Sequence, residues 1–471
     1  MSERASLPAP VAALFPEVAE GLKTDDWLTR RLAEALGRVT QGSVMPTVDM
    51  TSFRRELAAL EFATPVAVPE LLAWTIHQLE VGTVHMTHPR YFGLFNPAPT
   101  APAQWADRIT GAFNPQLASS GSSPVPVEIE AHVIRSLANR AGMPGGTVGH
   151  FTTGGSEANY TSLVCALTRA NPNFGNDGVR AFAGAVALYT SAECHPAWTK
   201  IAHHAGVGRS AVRLVATDGS GRIDARALDA AVRADRARGV TPVLVAATAG
   251  TTGGGMIDPL HACADVAAAS RAWFHVDAAW GGAALSSDRL RSVLAGIERS
   301  DSIAVDAHKW FATTMGCGMF LTPHGAVLSE AFRVAADFMP STAAATDPYL
   351  NSVQWSRRFL GLRLFLALGV AGWQGMAAHV ERAVAVISQV KERLVARGWT
   401  VANDSPLAVL CVEPPAHGPT VRDIVGRTVA SGRAWVARST FEGRDVIRIC
   451  ATHGQTGPSD VEELVRVLTD P

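Results

Sequence analysis

Apolar residues recur at three- and four-residue intervals through the first 85 positions, in WLTRRLAEALGRV, FRRELAAL and PELLAWTIHQL. That spacing predicts helices, the first capped by Asp25 or Asp26, and nothing in this stretch alternates as a strand would. A helical arm of this kind packs on another surface, such as a partner subunit, rather than folding alone. From His88 to Pro144 the pattern predicts turn-rich loops and one helix, EIEAHVIRSLANRAG, stopped by Gly142 and Pro144. Between about 145 and 325 the texture changes, and short continuous apolar runs alternate with helical spacing. AVALYT (185–190), VLVAAT (243–248), WFHVDA (273–278), SIAVDA (302–307) and MFLT (319–322) are the predicted strands. Unbroken apolar strands interleaved with helices indicate a mostly parallel sheet covered on both faces. Ligands of such sheets bind at the carboxyl ends of the strands. A long helical stretch, about 356–397, ends at Gly398. After it WTVAN, LAVLCVE, AWVARST and DVIRICA alternate with the helices VRDIVGRTVAS and DVEELVRVL, which predicts a small α+β unit. Three regions follow: a helical arm (1–85), a large α/β domain (86–355) and a small C-terminal domain (356–471).

Composition narrows the function. With 471 residues, 47% of them hydrophobic, the chain can bury a large core. Its 41 basic and 42 acidic residues leave a formal charge of −1 without blocks of one sign, so neither nucleic acid nor an anionic membrane is indicated as a partner. The start lacks a basic segment followed by a long apolar one, and the run at 360–370 is interrupted by Arg363 and Gly369. A soluble, cytoplasmic protein is expected. Six scattered cysteines without a CxxC pair predict reduced thiols rather than disulfides or a metal site.

Three polar motifs fall at predicted strand ends. TTGGSEAN (152–159) runs into a helix: glycines allow close backbone approach, while free amides and the helix dipole favour an anion such as a phosphate. It is neither GxGxxG nor a Walker sequence. In WFHVDAAWGG (273–282) Asp277 closes an apolar strand beside the small Ala278 and Ala279. A carboxylate there can protonate and hold a pyridine nitrogen, and small neighbours let a ring lie flat. An isolated Asp would serve equally to cap a turn, and a His275/Asp277 metal pair lacks further ligands. In DSIAVDAHKW (301–310) Lys309 follows another apolar strand, beside His308 and Trp310. A single lysine there would by default reach solvent; a desolvated amine is what Schiff-base chemistry needs. A phosphate grip, a pyridinium partner and an imine lysine, in that order on one sheet, are what a protein supplies to pyridoxal 5′-phosphate (PLP).

With these motifs the chain resembles the group II PLP-dependent amino acid decarboxylases, from HPRYFGLFNP (88–97) to the C-terminus. The resemblance implies a PLP-dependent transferase-like fold of type I with a seven-stranded sheet, and a homodimer with active sites at the subunit interface. It implies decarboxylation of an L-amino acid, aromatic ones favoured, with Lys309 carrying the cofactor and Asp277 its ring nitrogen. SAECHPAWTK (191–200) then supplies His195 to stack on the ring, TAGTT (248–252) places Thr248 near the cofactor hydroxyl, and Ala279 underlies the ring. Gly155, Ser156 and Ser302 would hold the phosphate, and His308 would sit beside Lys309 at the imine. SSPVPVEIE (122–130) corresponds to the loop at the mouth of the site.

Two departures bear on substrate and product. EAFRVAADFMPSTAAATDPY (330–349) aligns with a mobile loop that carries a proton-donating tyrosine in aromatic decarboxylases, and Phe338 takes that place. Phenylalanine there is associated with aldehyde synthases, which decarboxylate and then oxidatively deaminate; Tyr349 or a histidine could donate the proton instead. In FNPQLASSGSSP (113–124), Gln116 and Ala118 stand where aromatic-specific relatives carry bulkier apolar residues. Tyr91, Phe92 and Phe95 offer aromatic surface, either to substrate or to loop packing. Asp306 stands where relatives often have asparagine near the phosphate and is given no role. Arg357 and Arg358 suit a substrate carboxylate or, better, a bridge at the domain junction. Arg448 resembles an aminotransferase carboxylate-binding arginine, or a structural arginine of this family.

Overall fold

The computed structural model describes residues 8–334 and 347–470. Its centre is a seven-stranded sheet of β1 (Val148–Thr152), β2 (Val186–Ser191), β3 (Val212–Val215), β4 (Thr241–Thr248), β5 (Trp273–Asp277), β6 (Ser302–Asp306) and β7 (Gly318–Thr322). The spatial order is β1-β7-β6-β5-β4-β2-β3. Strands β3, β2, β4, β5 and β6 run parallel, while β7 is antiparallel to β1 and β6. Every residue of β2, β5, β6 and β7 is buried, the reason those runs read as continuously apolar. The two strands absent from the sequence prediction have weak patterns. β3 is a four-residue edge strand with only Val215 buried. β1 contains Gly149, where a Cβ would lie 1.9 Å from the Phe320 carbonyl oxygen, so close contact with β7 displaced a strand-forming residue.

The arm forms the helices Ala9–Leu14, Val18–Gln41, Met50–Ala58 and Val68–Gly82. The predicted caps are misplaced: Asp25 and Asp26 lie inside the second helix, and Asp49 caps the third by accepting from the Thr51 and Ser52 amides. The arm is tied to the C-terminal region by Val44 N donating to Gly432 O at 2.7 Å, and the segment after it by Phe92 N donating to Trp435 O at 2.8 Å. A helix at Ala101–Phe113 was hidden by the prolines around it, one of which occupies its first turn. The helix at Pro124–Arg140 stands where one was expected.

A four-stranded antiparallel sheet forms the C-terminal part: β8 (Thr400–Val401), β9 (Val409–Glu413), β10 (Ala437–Phe441) and β11 (Arg444–Cys450), in the order β10-β11-β9-β8. The long helix begins at Leu362, not near 356, and is interrupted at Gly372, whose φ is +63°. The residues before it are occupied otherwise. Arg357 is buried, pairs with buried Glu130 at 2.7 Å and donates to Phe151 O, while Arg358 reaches Asp107 at 3.3 Å. Both arginines therefore bridge elements instead of facing a substrate. All six cysteines are free. No helix among the described residues is long and apolar enough to cross a membrane.

His150 on β1 carries a test of this core. It is buried, neither ring nitrogen has a partner, and desolvation with nearby Arg357 pushes its pKa down to about 3. The unfolded chain therefore binds a proton at His150 that the folded chain refuses between pH 6.5 and about 3. Stability tied to this residue is present above pH 6.5 and falls with acidification at about 1.4 kcal/mol per pH unit. His150→Phe should raise denaturation midpoints and remove that part of the slope, measured as the wild-type-minus-variant difference at pH 7 and pH 5. A difference that does not change with pH would show that His150 contributes no such slope.

Candidate active site

The carboxyl ends of β1, β4, β5 and β6 open onto one cavity of about 310 Å³. One wall is the turn from β1 into the helix Gly155–Ala170. No side chain caps this helix at Gly154, so its first amides are left for a ligand. Glu157 shapes the turn, accepting from Thr153 N and Oγ1 at 2.8 Å each and from Gln354 Nε2 at 2.6 Å. The turn also needs room: a Cβ at Gly318 would lie 2.6 Å from Thr152 Oγ1 and 2.7 Å from Asp306 Oδ1.

Asp277 and Thr248 close the floor, as neighbours in the β4–β5 register. Asp277 accepts from Asn159 Nδ2 at 2.8 Å and from the Ala279 amide at 3.1 Å. Thr248 Oγ1 is buried and has no hydrogen-bond partner among the described residues. His195, on the loop after β2, lines the cavity, and its pKa is lowered by desolvation against the opposing pull of Asp277. Its Nδ1 accepts from Ala197 N at 3.1 Å, which fixes the ring.

Lys309 lies in the turn after β6. Its Nζ is 3.0 Å from Asp306 Oδ2 and 5.7 Å from the Phe95 ring centre. Asp306 is buried, and its other oxygen has no partner. Its role was missed at the sequence level: the carboxylate is the ion-pair partner of Lys309. His308 lies 3.8 Å from Asp306, its Nδ1 3.0 Å from Cys317 O. Behind the lysine, Phe95 stacks on Trp280 at 4.2 Å and Trp280 on Trp310 at 4.6 Å.

Of the predicted site residues, Gly155, Ser156, His195, Thr248, Asp277, Ala279, His308 and Lys309 all line this cavity. Ser302 does not. It begins β6, about 13 Å of strand rise away from the carboxyl end, and its hydroxyl is taken by Trp273 Nε1 (2.7 Å) and His275 Nδ1 (2.8 Å). A phosphate-holding role for Ser302 is therefore replaced by an internal one. Tyr91 and Phe92 are packing residues: Tyr91 stacks on Trp435 at 5.2 Å, and Phe92 is fully buried in the core. Only Phe95 of that segment reaches the cavity. Gln116 bonds Ser356 Oγ at 3.2 Å and lines a separate concavity with Phe113 and Phe359. Tyr349 is buried against Trp355 at 4.9 Å. Phe338 lies outside the described residues. Arg448 donates to Thr252 O and Gly93 O and stacks over Phe95, so it braces the cavity wall from behind. Asn159, Thr153 and Thr252 also line the cavity; Thr153 and Asn159 belong to the TTGGSEAN motif and Thr252 ends TAGTT, so the motifs held these positions without singling out the residues.

The site fits PLP: an uncapped helix start for phosphate, an orphaned threonine hydroxyl, an oriented carboxylate, a histidine wall and an amine. A mostly parallel seven-stranded sheet carrying this set defines a PLP-dependent enzyme of fold type I. The profile of the pyridoxal-dependent decarboxylase conserved domain matches residues 64–411, and the chain belongs to that family. It is 32% identical to L-2,4-diaminobutyrate decarboxylase of Rhizobium meliloti (strain 1021) over 402 residues, 83% of this chain and 78% of that protein. Cysteine sulfinic acid decarboxylase of Mus musculus is 34% identical over 345 residues, 71% of this chain and 70% of the relative. The structure of Oryza sativa TDC with PLP and tryptamine superposes with a TM-score of 0.89 at 26% identity, covering 97% and 99% of the two chains. The protein is thus a PLP-dependent amino acid carboxy-lyase.

Proposed function

We propose that the chain converts an L-amino acid with a short polar side chain into its amine and carbon dioxide. The carrying observation is the cavity wall: Tyr91 and Phe92, two of the three aromatic residues expected to offer surface to a substrate, are turned into the protein, and only Phe95 reaches the cavity. What faces the cavity beyond the cofactor-binding set is mostly small and polar: Thr153, Glu157 and Thr252. About 310 Å³ must hold cofactor and substrate together, which favours a short side chain. Two of the relatives are named for such substrates, diaminobutyrate and cysteine sulfinate. An aromatic substrate has its own support, the Phe95–Trp280 stack in the wall.

Bound here, PLP supplies an electron sink for the pair that departing carbon dioxide leaves behind. The residues around it divide the remaining work. Lys309 provides the amine that anchors the cofactor and takes it back after turnover. Asp277 would hold a proton at the ring nitrogen, and Thr248 Oγ1 would bond the ring hydroxyl. His195 and Ala279 would confine the ring, and the amides of Gly155 and Ser156, with the Ser156 hydroxyl, would hold the phosphate. Asp306, 3.0 Å from Lys309 Nζ, would hold the lysine side chain in place before the cofactor binds. His308, next to Lys309 in the chain and lining the same cavity, is the group proposed to pass a proton.

We also propose a homodimer. Leu14, Phe15, Val18 and Leu22 of the arm are exposed, Leu14 by 74%, an apolar face that a second copy would cover.

Product analysis by mass spectrometry tests the substrate: PLP-loaded protein is incubated in air with each common L-amino acid, diaminobutyrate and cysteine sulfinate. Amine and carbon dioxide from short polar substrates, at least about tenfold faster than from tryptophan or tyrosine, are expected. Faster turnover of the aromatic acids would overturn the short-chain assignment. Aldehyde with ammonia and peroxide would replace simple decarboxylation by the oxidative route expected from Phe338.

A further inference from the structure

Below the cavity floor runs a file of buried polar side chains. Asn159, Trp273, His275 and Ser302 are each at most 2% exposed. They connect end to end: Trp273 Nε1 to Ser302 Oγ at 2.7 Å, Ser302 Oγ to His275 Nδ1 at 2.8 Å, His275 Nε2 to Asn159 Oδ1 at 2.9 Å, and Asn159 Nδ2 to Asp277 Oδ2 at 2.8 Å. Every link crosses between elements: Trp273, His275 and Asp277 lie on β5, and the file leaves that strand to Ser302 on β6 and to Asn159 on the helix Gly155–Ala170. The β5–β6 register sets His275 directly opposite Ser302.

The two ends of the file fix the outer hydrogen bonds, and a neutral His275 ring fixes the central one. An indole N–H only donates and a carboxylate only accepts. Asn159 must therefore turn its amide nitrogen to Asp277 and its oxygen to His275. His275 must then carry its hydrogen on Nε2. Burial pushes the His275 pKa down to about 4, so the ring is neutral at ordinary pH and Nδ1 is bare. The bare Nδ1 needs a donor, which the Ser302 hydroxyl supplies while its oxygen accepts from Trp273. With the Ala279 amide on Oδ1, each oxygen of Asp277 has one fixed N–H donor, and the lone pairs left over face the cavity.

We propose that Trp273, Ser302, His275 and Asn159 are positioning residues: a one-way hydrogen-bond relay that orients Asp277 and fixes how strongly it holds a proton at a ring nitrogen in the cavity. The inference rests on the PLP-dependent reading of the site. It gives Ser302 a part in cofactor chemistry from the far end of its strand. A structural explanation alone would account for the burial of these groups, but not for a file whose polarity converges on the one carboxylate of the floor. The titratable groups that feel Asp277 are Cys194, His195 and His275, of which His275 alone belongs to the relay.

Two measurements test it. Neutron diffraction of the wild-type protein after deuterium exchange should place a deuteron on His275 Nε2, none on Nδ1, and the Ser302 deuteron toward Nδ1. A deuteron on Nδ1, or on both nitrogens, would overturn the relay. Ser302→Ala touches nothing in the cavity. It should weaken PLP binding, read by fluorescence quenching, about fivefold, as expected for one buried hydrogen bond felt at a distance. It should also displace the pH midpoint of the bound-cofactor absorbance, a readout that packing alone would leave in place. A folded Ser302→Ala protein with wild-type affinity and an unchanged pH profile would sink the proposal. If the variant does not fold, the neutron result decides. Wild-type protein that takes up no PLP at all would instead strike at the cofactor assignment, and the deuteron positions would still be read independently.

Discussion

Lys309→Ala is expected to lower turnover by about a thousandfold or more, because among the described residues no other primary amine lines the cavity to anchor PLP and reclaim it after each cycle. Alanine has a second effect, which has to be separated from the first. Asp306 is 3% exposed and its Oδ2 lies 3.0 Å from Lys309 Nζ, so truncation strands a buried carboxylate. Breaking a buried pair on one side costs roughly 3 kcal/mol of stability. A loss of activity in Lys309→Ala could then reflect partial unfolding. Lys309→Arg separates the two: guanidinium keeps the charge beside Asp306 but cannot form the covalent link. The expected pattern is a near-normal melting midpoint for the arginine variant, a lowered one for alanine, and loss of turnover in both. Borohydride should bleach wild-type holoenzyme and label Lys309, and should label neither variant. Near-normal turnover in either variant would remove Lys309 from the mechanism.

The sheet and half the site were legible because the same residues serve both. β5 and β6 are apolar runs that end in Asp277 and in the turn to Lys309, so folding pattern and chemistry coincide. Elements without such a pattern were invisible: β3, with one buried residue, and the helix at Ala101–Phe113 behind its prolines. Ser302 was misplaced by resemblance, although strand polarity argued against it, since a residue that opens β6 cannot stand where β6 ends. Asp306 was set aside because a carboxylate and a phosphate repel. The structure answers with Lys309 as its counter-charge, a partner three residues on that only the turn geometry reveals. Tyr91 and Phe92 show the limit for aromatic residues in a loop, where facing a substrate and packing on Trp435 leave the same sequence signal.

Asp277→Asn should retain the fold and much of the PLP binding yet lose about a hundred- to ten-thousandfold in kcat. Shape is nearly unchanged, and the asparagine oxygen can still accept from Asn159 Nδ2 or from the Ala279 amide, which now lie 2.8 and 3.1 Å from the two carboxylate oxygens. What changes is the group facing the cavity. An amide nitrogen there donates to a ring nitrogen and holds it unprotonated, where the carboxylate accepts and holds it protonated. The loss should therefore fall on kcat and the product-forming step, with PLP affinity reduced by no more than about tenfold, because the helix N-terminus, Thr248 and Lys309 still grip the rest of the cofactor. The bound absorbance should change its pH response, since the group that set the ring's proton affinity is gone. Asp277→Glu makes the complementary case. It keeps the charge but lengthens the arm at a position only 5% exposed, so its defect should be steric, with weaker PLP binding and a smaller loss of kcat per bound cofactor. If Asp277→Asn turned over at close to the wild-type rate, the carboxylate would not be the group that governs the ring nitrogen, and the hydrogen-bond relay behind it would have nothing to act upon.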